Sequence, residues 1–274
     1  MIDYHVHTCF SGDSLALPSD MLDAAAQLGI EEICFTDHVD FDYPGKNFEP
    51  ADLAARHECL EAFGGRYRGV RIREGVEISM APSDACLEKT RAYLADFQPD
   101  FIIGSQHVVC GVDVYYPEYH QGKAKEDAYL AYLETIAASL EKFDFFSVLG
   151  HYDFVAKFAP YPDRSMKSDL SPLIRSAFER IFKAVISMGK GIEINTAAWR
   201  DDPRWGLDVL KLYRELGGEF VTFGSDAHSS VSLGNRLNEA YELARDAGIP
   251  YYAVFEKMKP SFIAIDGITP RGGY

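Results

Sequence analysis

Two histidines one residue apart, His5 and His7, close the strand-like run that opens the chain. Side chains two apart in a strand project from one face, roughly 7 Å apart along the backbone, so both imidazoles can reach one cation. Asp3 shares that register. An H-x-H pair also suits an ordinary sheet, so the rest of the chain decides its meaning. Asp37-His38, Glu77, His107, His151, Asn195 and Asp226 with His228 each end or follow a further apolar, strand-like run. Six of the eight histidines fall at such places, while His57 and His120 do not. Together with Asp13, Glu77 and Asp226, the set His5, His7, His38, His107, His151 and His228 offers donors for more than two metals if some ligands bridge. Imidazole and carboxylate without thiolate suit Zn, Mn or Fe. Cys9 lies near the histidine pair but reads as a small, semi-buried thiol.

The elements that must bring these residues together alternate along the chain. Strands are expected from Ile2 to Val6, Glu32 to Thr36, Val70 to Ile78, Phe101 to Gly104, Phe145 to Leu149, Gly191 to Ile194 and Glu219 to Phe223. Helical periodicity fills Pro18 to Leu28, Ala51 to Phe63, Ser83 to Leu94, Lys125 to Phe143, Leu170 to Met188, Asp208 to Leu216 and Asn235 to Ala247. The last stretch, Tyr251 to Ile265, reads as extended structure of unspecified pairing. Cys110 to Gly122 is longer than most strand-to-helix connections and is expected to face the substrate as a lid. Alternation of this kind favours parallel pairing. An open doubly wound sheet gathers functional residues only near its switch point, whereas a barrel brings every strand end to one mouth. Polar residues at all the strand ends therefore point to an α/β barrel.

With 274 residues, no linker and no low-complexity stretch, the chain is expected to form a single domain over residues 1–274. A net charge of −15 opposes binding to a long nucleic-acid backbone, and bound dications would offset part of it. No apolar run approaches 18 residues, so no membrane segment is expected. The five cysteines are scattered without a C-x-x-C pair, which suits reduced thiols and a cytoplasmic location. Nothing in the sequence sets an oligomeric state.

The motifs, taken together, resemble one family. Asp3-Tyr4-His5-Val6-His7-Thr8 with Ser11 and Asp13, then Thr36-Asp37-His38, Gly75-Val76-Glu77, Gly104-Ser105-Gln106-His107, Gly150-His151-Tyr152-Asp153 and Gly224-Ser225-Asp226-Ala227-His228 are similar to the PHP (polymerase and histidinol phosphatase) superfamily. Across almost the whole chain the resemblance is greatest to its monofunctional histidinol-phosphate phosphatases. It implies a distorted (β/α)7 TIM-like barrel with three divalent metals. His5, His7, Glu77 and Asp226 would hold the first, and Glu77 would bridge to a second held by His107 and His151. Asp13, His38 and His228 would hold the third, with Asp13 standing where many relatives have histidine. Asp3 would then orient a histidine instead of binding metal.

The chemistry implied is hydrolysis of a phosphate monoester, with a hydroxide held between two cations attacking phosphorus. Glu77 would act as the bridge and Asp226 would manage a proton. Lys157 and Arg200 are expected to clamp the phosphate, at places where the family typically has arginine, and Arg164 is a further candidate. The favoured small phosphorylated substrate is L-histidinol phosphate, whose cationic leaving group suits Asp113, Tyr115, Tyr116, Glu118 and Tyr119 of the long loop. Other readings stand beside it. A PHP exonuclease or nucleotide phosphoesterase would need a basic groove and stacking aromatics. A metal-dependent amidohydrolase also begins with H-x-H but calls for a carbamylated lysine. A non-catalytic phosphate sensor would need far fewer ligands.

Overall fold

The computed structural model describes residues 1–44, 49–165, 170–197 and 206–265. Strands β1 (Ile2–Val6), β2 (Glu32–Phe35), β3 (Val70–Ser79), β4 (Phe101–Ser105), β5 (Val148–Leu149), β6 (Gly191–Asn195) and β7 (Phe220–Gly224) pair in parallel in that order. Each is followed in turn by one of the helices α1 (Pro18–Leu28), α2 (Leu53–Glu61), α3 (Asp84–Tyr93), α4 (Lys125–Leu140), α5 (Pro172–Ser187), α6 (Leu207–Glu215) and α7 (Leu237–Asp246). Every residue of β1, β2, β4, β6 and β7 is buried, as parallel strands covered on both faces require. Local chemistry sets the helix ends. Pro172 opens α5 with the Ser171 hydroxyl accepting from Ile174 N–H, and Gly29 ends α1 at φ 70°, a left-handed cap without a Cβ penalty. Ile174, Ala177, Phe178, Ile181, Phe182 and Val185 form the buried stripe of α5. Each large side chain there contributes roughly 1.5–3 kcal/mol relative to exposure.

The β/α alternation matches expectation, with adjustments at the strand ends. β5 is only two residues long where five are expected, because pairing with β4 and β6 is confined to Val148 and Leu149. Beyond them Gly150 passes so close to β4 that a Cβ would lie 2.4 Å from Ser105 Oγ and 2.6 Å from Ile103 Cγ2. The chain therefore crowds inward just before His151, and only glycine fits.

Closure of the barrel is uneven. At the C-terminal mouth β1 meets β7: His7 N–H donates to Ala227 O at 2.9 Å and Ala227 N–H to His5 O at 3.4 Å, around an isolated parallel bridge between Val6 and Ala227. Lower down, β7 pairs instead with β8 (Tyr251–Glu256), which turns back antiparallel into β9 (Lys259–Ala264). This hairpin crosses the N-terminal end. Phe255 N–H donates to the Tyr4 hydroxyl at 2.9 Å, Met258 N–H donates to Asp100 O at 2.9 Å, and the Phe101 ring lies 4.9 Å from Phe255 and 5.0 Å from Tyr4. The distorted barrel is thus joined at its mouth and plugged at its base by residues that the sequence shows only as extended. Among the described residues no helix is long and apolar enough to cross a membrane.

Beneath the mouth, Asp37 and Arg56 form a buried ion pair at 3.2 Å, both side chains fully enclosed. Arg56 also donates to Gly75 O at 2.6 Å. Asp37 accepts from Thr8 N–H at 2.6 Å and from the Ser11 hydroxyl at 2.8 Å, fixing the loop that leads from His7 to Asp13. Burial would raise the Asp37 pKa, but Arg56 and its other partners outweigh this and lower it. Removing the cation leaves a buried carboxylate uncompensated. Arg56→Ala should therefore lose about 3–5 kcal/mol in urea unfolding, whereas a loss under 1 kcal/mol would show that the pair contributes little.

Candidate metal centre

Glu77 is the last inward-facing acid of β3 and is held in register by pairing with His38 on one side and Ile103 on the other. Its two oxygens face different imidazoles. Oε2 lies 3.1 Å from His5 Nε2, 3.5 Å from His7 Nε2 and 3.1 Å from His38 Nδ1. Oε1 lies 2.8 Å from His151 Nε2 and 3.3 Å from His107 Nε2, and those two nitrogens are 3.3 Å apart. Asp226 completes the first group, its Oδ1 3.4 Å from His7 Nε2 and 3.7 Å from His5 Nε2. Asp13 Oδ2 lies 2.9 Å from His228 Nε2 and 3.4 Å from His38 Nε2, making a third, more exposed group. All nine expected metal ligands thus converge at one end of the barrel. His7 stands nearer the third group than its sequence position suggests, with its ring 4.3 Å from that of His38 and 4.2 Å from that of His228.

The donor set fits divalent cations. His5 Nε2, His7 Nε2 and Glu77 Oε2 are buried, make no hydrogen bond among the described residues, and lie within 4.8 Å of one another. Ligand atoms of His7, Asp13, His38 and His228 also lie within 4.8 Å of one another, as do those of His38, Glu77 and His107. Buried polar atoms that face one another without hydrogen bonds are costly unless something else satisfies them.

Electrostatics point the same way. Burial would raise the pKa of Glu77, but His5, His38 and His107 outweigh it and hold the carboxyl well below the usual carboxylate range. Asp226 is likewise opposed by burial yet held well below that range, first by Lys157 and then by His5. Burial lowers His7 to about 4, helped by His228 and His38, so its imidazole stays neutral and able to donate a lone pair. His38 is drawn up to about 9 against burial by Glu77 and Asp40.

The backbone at Asp226 is strained in a way that serves its placement. Its φ is 54°, in the left-handed region that aspartate tolerates better than most residues. Both neighbours are tied to β1. Ser225 donates its N–H to Asp3 Oδ1 at 2.9 Å and its hydroxyl to Asp3 Oδ2 at 2.5 Å, and Ala227 makes the bridge to Val6. Asp3 therefore does not orient an imidazole as expected. The β1–β2 register shifts between Asp3 and Val6, so the two-residue alternation does not run unbroken from Asp3 to the histidines. Its carboxyl instead fastens the Asp226 loop, with Gly234 N–H as a further donor at 3.1 Å, and burial pushes its pKa up to about 6.

Asp13, His38, Glu77, His107, His151, Asp226 and His228 line a cavity of about 620 Å³ whose wall includes Tyr43, Asp113, Tyr115, Tyr116, Phe154, Lys157 and Phe158. The long loop faces this cavity, as expected of a lid, through Asp113, Tyr115 and Tyr116. Glu118 and Tyr119 do not line it: Tyr119 is buried and bonds Ala128 O at 2.6 Å. Lys157 Nζ sits 3.3 Å from Asp226 Oδ2. Arg164 is absent from the lining and donates to Lys157 O at 3.4 Å, and Arg200 lies outside the described residues.

A profile of the PHP domain matches residues 3–197. The chain belongs to the PHP domain family. A histidinol-phosphatase of Lactococcus lactis is 33% identical to this PHP protein over 94% of its length and 95% of the relative's. A protein named as a probable histidinol-phosphatase of Clostridium acetobutylicum is 27% identical over 91% of this chain and 94% of that one. Among solved structures, histidinol phosphate phosphatase from Lactococcus lactis, complexed with zinc, L-histidinol and phosphate, superposes with a TM-score of 0.85 at 31% identity, covering 95% of this chain and 98% of that one. A Listeria monocytogenes structure, 20% identical with a TM-score of 0.72 over 87% of this chain and 99% of its own, bears on the fold alone.

Two acids of this PHP site escape a reading of strand ends. Asp40, two residues past His38, places Oδ2 3.4 Å from His107 Nδ1 and 3.5 Å from His38 Nδ1. Glu193 lies inside β6 with Oε1 2.6 Å from His5 Nδ1. A glutamate between Ile192 and Ile194 in a strand buried on both faces is itself a signal, since such a charge demands a partner. Glu77→Gln, which weakens donation to two ligand groups at once, should lower bound metal per chain and cut kcat/KM by at least about a hundredfold. Unchanged metal content by elemental analysis would refute this.

Proposed function

We propose that this protein is a metal-dependent histidinol-phosphate phosphatase, releasing inorganic phosphate from L-histidinol phosphate, and that residues 1–274 work as one domain. The observation that carries the reading is Glu77, a single buried carboxylate whose two oxygens serve separate imidazole groups on the floor of a cavity sized for a small metabolite. The likeness to a relative complexed with zinc, L-histidinol and phosphate supports the substrate. Three divalent cations, of Zn, Mn or Fe, would be held by His5, His7, Glu77 and Asp226, by Glu77, His107 and His151, and by Asp13, His38 and His228. When bound, such cations supply Lewis acidity to the phosphoryl oxygens and make water nucleophilic near neutral pH.

The chain's own residues do the rest. Lys157 reaches the cavity beside Asp226 and is placed to meet a phosphoryl oxygen, its ammonium flanked by Phe154 and Phe158 at 5.4 and 5.9 Å. Arg200 is retained as a second clamp on its sequence position. Asp226, held ionised beside Lys157, is not the acid that protonates the leaving oxygen. Along the same cavity Asp113 accepts from the Tyr43 hydroxyl at 2.8 Å, and Tyr115 packs on Phe158 with centroids 4.3 Å apart. An acid among aromatic faces suits a cationic leaving group. Lys157 is the only lysine or arginine among the described lining residues, which favours a small substrate over a nucleic-acid strand. The five free cysteines fit a reducing cytoplasm.

Chelated protein should release no phosphate from L-histidinol phosphate, and added Zn or Mn should restore turnover with a clear preference over nucleoside monophosphates. Equal or better nucleotide cleavage would overturn the substrate. Lys157→Ala should raise KM and lower kcat/KM roughly tenfold or more, since a charge-assisted contact contributes about 1.5–3 kcal/mol. Steady-state kinetics with wild-type values would remove Lys157 from the clamp.

A further inference from the structure

Glu193 is a fully enclosed acid on β6, and its two shortest contacts lie beyond that strand. One oxygen lies 2.6 Å from His5 Nδ1 on β1, and the other accepts from the backbone N–H of His151 at 2.9 Å, just past the end of β5. The Asn195 amide donates to the same second oxygen at 3.3 Å. To reach His5 the carboxylate must pass β7, which lies between β6 and β1. It does so over Gly224, where a Cβ would fall 2.3 Å from Glu193 Oε1 and 2.4 Å from His5 Cβ. The glycine therefore makes the gap that the acid crosses.

Two consequences follow from this geometry. Because Nδ1 of His5 is occupied by Glu193, Nε2 is the nitrogen presented to Glu77 and Asp226, so the acid sets both tautomer and ring orientation. Because its second oxygen holds the backbone of His151, the same side chain also fixes a residue that faces the opposite oxygen of Glu77.

We propose that Glu193 is a positioning residue that couples the two cation sites sharing Glu77, holding a ligand of each so that they load together. The inference rests on the metal-dependent reading above. Its test reads metal binding directly, so the two can fail separately.

Equilibrium dialysis with Zn and titration with Co, whose visible absorption reports ligand geometry, would be run on wild type, E193Q and E193D without substrate. E193Q loses the charge, and E193D keeps it but withdraws the oxygens by about 1.5 Å. Each variant should weaken binding 10–100-fold at two sites together, alter the Co spectrum, and leave an exposed site built on Asp13 and His228 unchanged. Either variant suffices if the other does not fold. Wild-type affinity and spectrum in a folded variant would overturn the coupling alone, as would loss at one site only. A wild-type protein that takes up neither metal would overturn the coupling and the metal-dependent reading together.

Discussion

Everything at the mouth is arranged around one buried anion. Glu77 sits fully enclosed at the end of the longest parallel strand, ringed by His5, His7, His38, His107 and His151. A carboxylate in such a place is expensive to desolvate, and neutral imidazoles return little of that cost. Against the effect of burial, the facing acids draw the pKa values of His5, His38 and His107 upward, and divalent ions, when bound, would offset the same negative charge. The fold's task is to hold the surrounding nitrogens in place around that carboxylate.

The supports for this task come as carboxylates one layer back, each tied to a different part of the barrel. Asp3 fastens the Asp226 loop through Ser225, Asp37 fastens the Thr8–Ser11 loop and is itself matched by Arg56, and Asp40 lies against the Nδ1 atoms of His38 and His107. Much of the net charge of −15 is therefore not surface decoration. Acids buried beside the ligands raise local negative potential where cations are to bind, and they fix which nitrogen each imidazole presents.

Most of the residues gathered at the mouth could be read from the chain because barrel strand ends converge by construction. Once β/α alternation is recognised, His5, His107, His151 and Asp226 need no further information to be placed at one mouth. Asp3 was harder, since a register shift inside β1 breaks the alternation that put it beside the histidines. Glu193 could not be connected to His5 from spacing, because its reach depends on what Gly224 lacks. The closing hairpin was illegible for a related reason. Its pairing beneath Tyr4 and Asp100 joins segments distant in sequence, and no local period records such a contact. In the long loop, residue types suggested an acidic, aromatic wall, but only the fold separates Asp113, which faces the cavity, from Tyr119, which faces the core.

The seam between β1 and β7 carries a consequence for how the molecule comes into being. Asp3 and Ser225 are bonded across 222 residues of chain, so β1, which pairs locally with β2, reaches its β7 neighbour only through a contact of very long range. Closing so long a loop is entropically costly and slow. A cation that binds only the closed ring draws the equilibrium toward closure by its own affinity. The ion expected to serve the chemistry would then also stabilise the seam between β1 and β7.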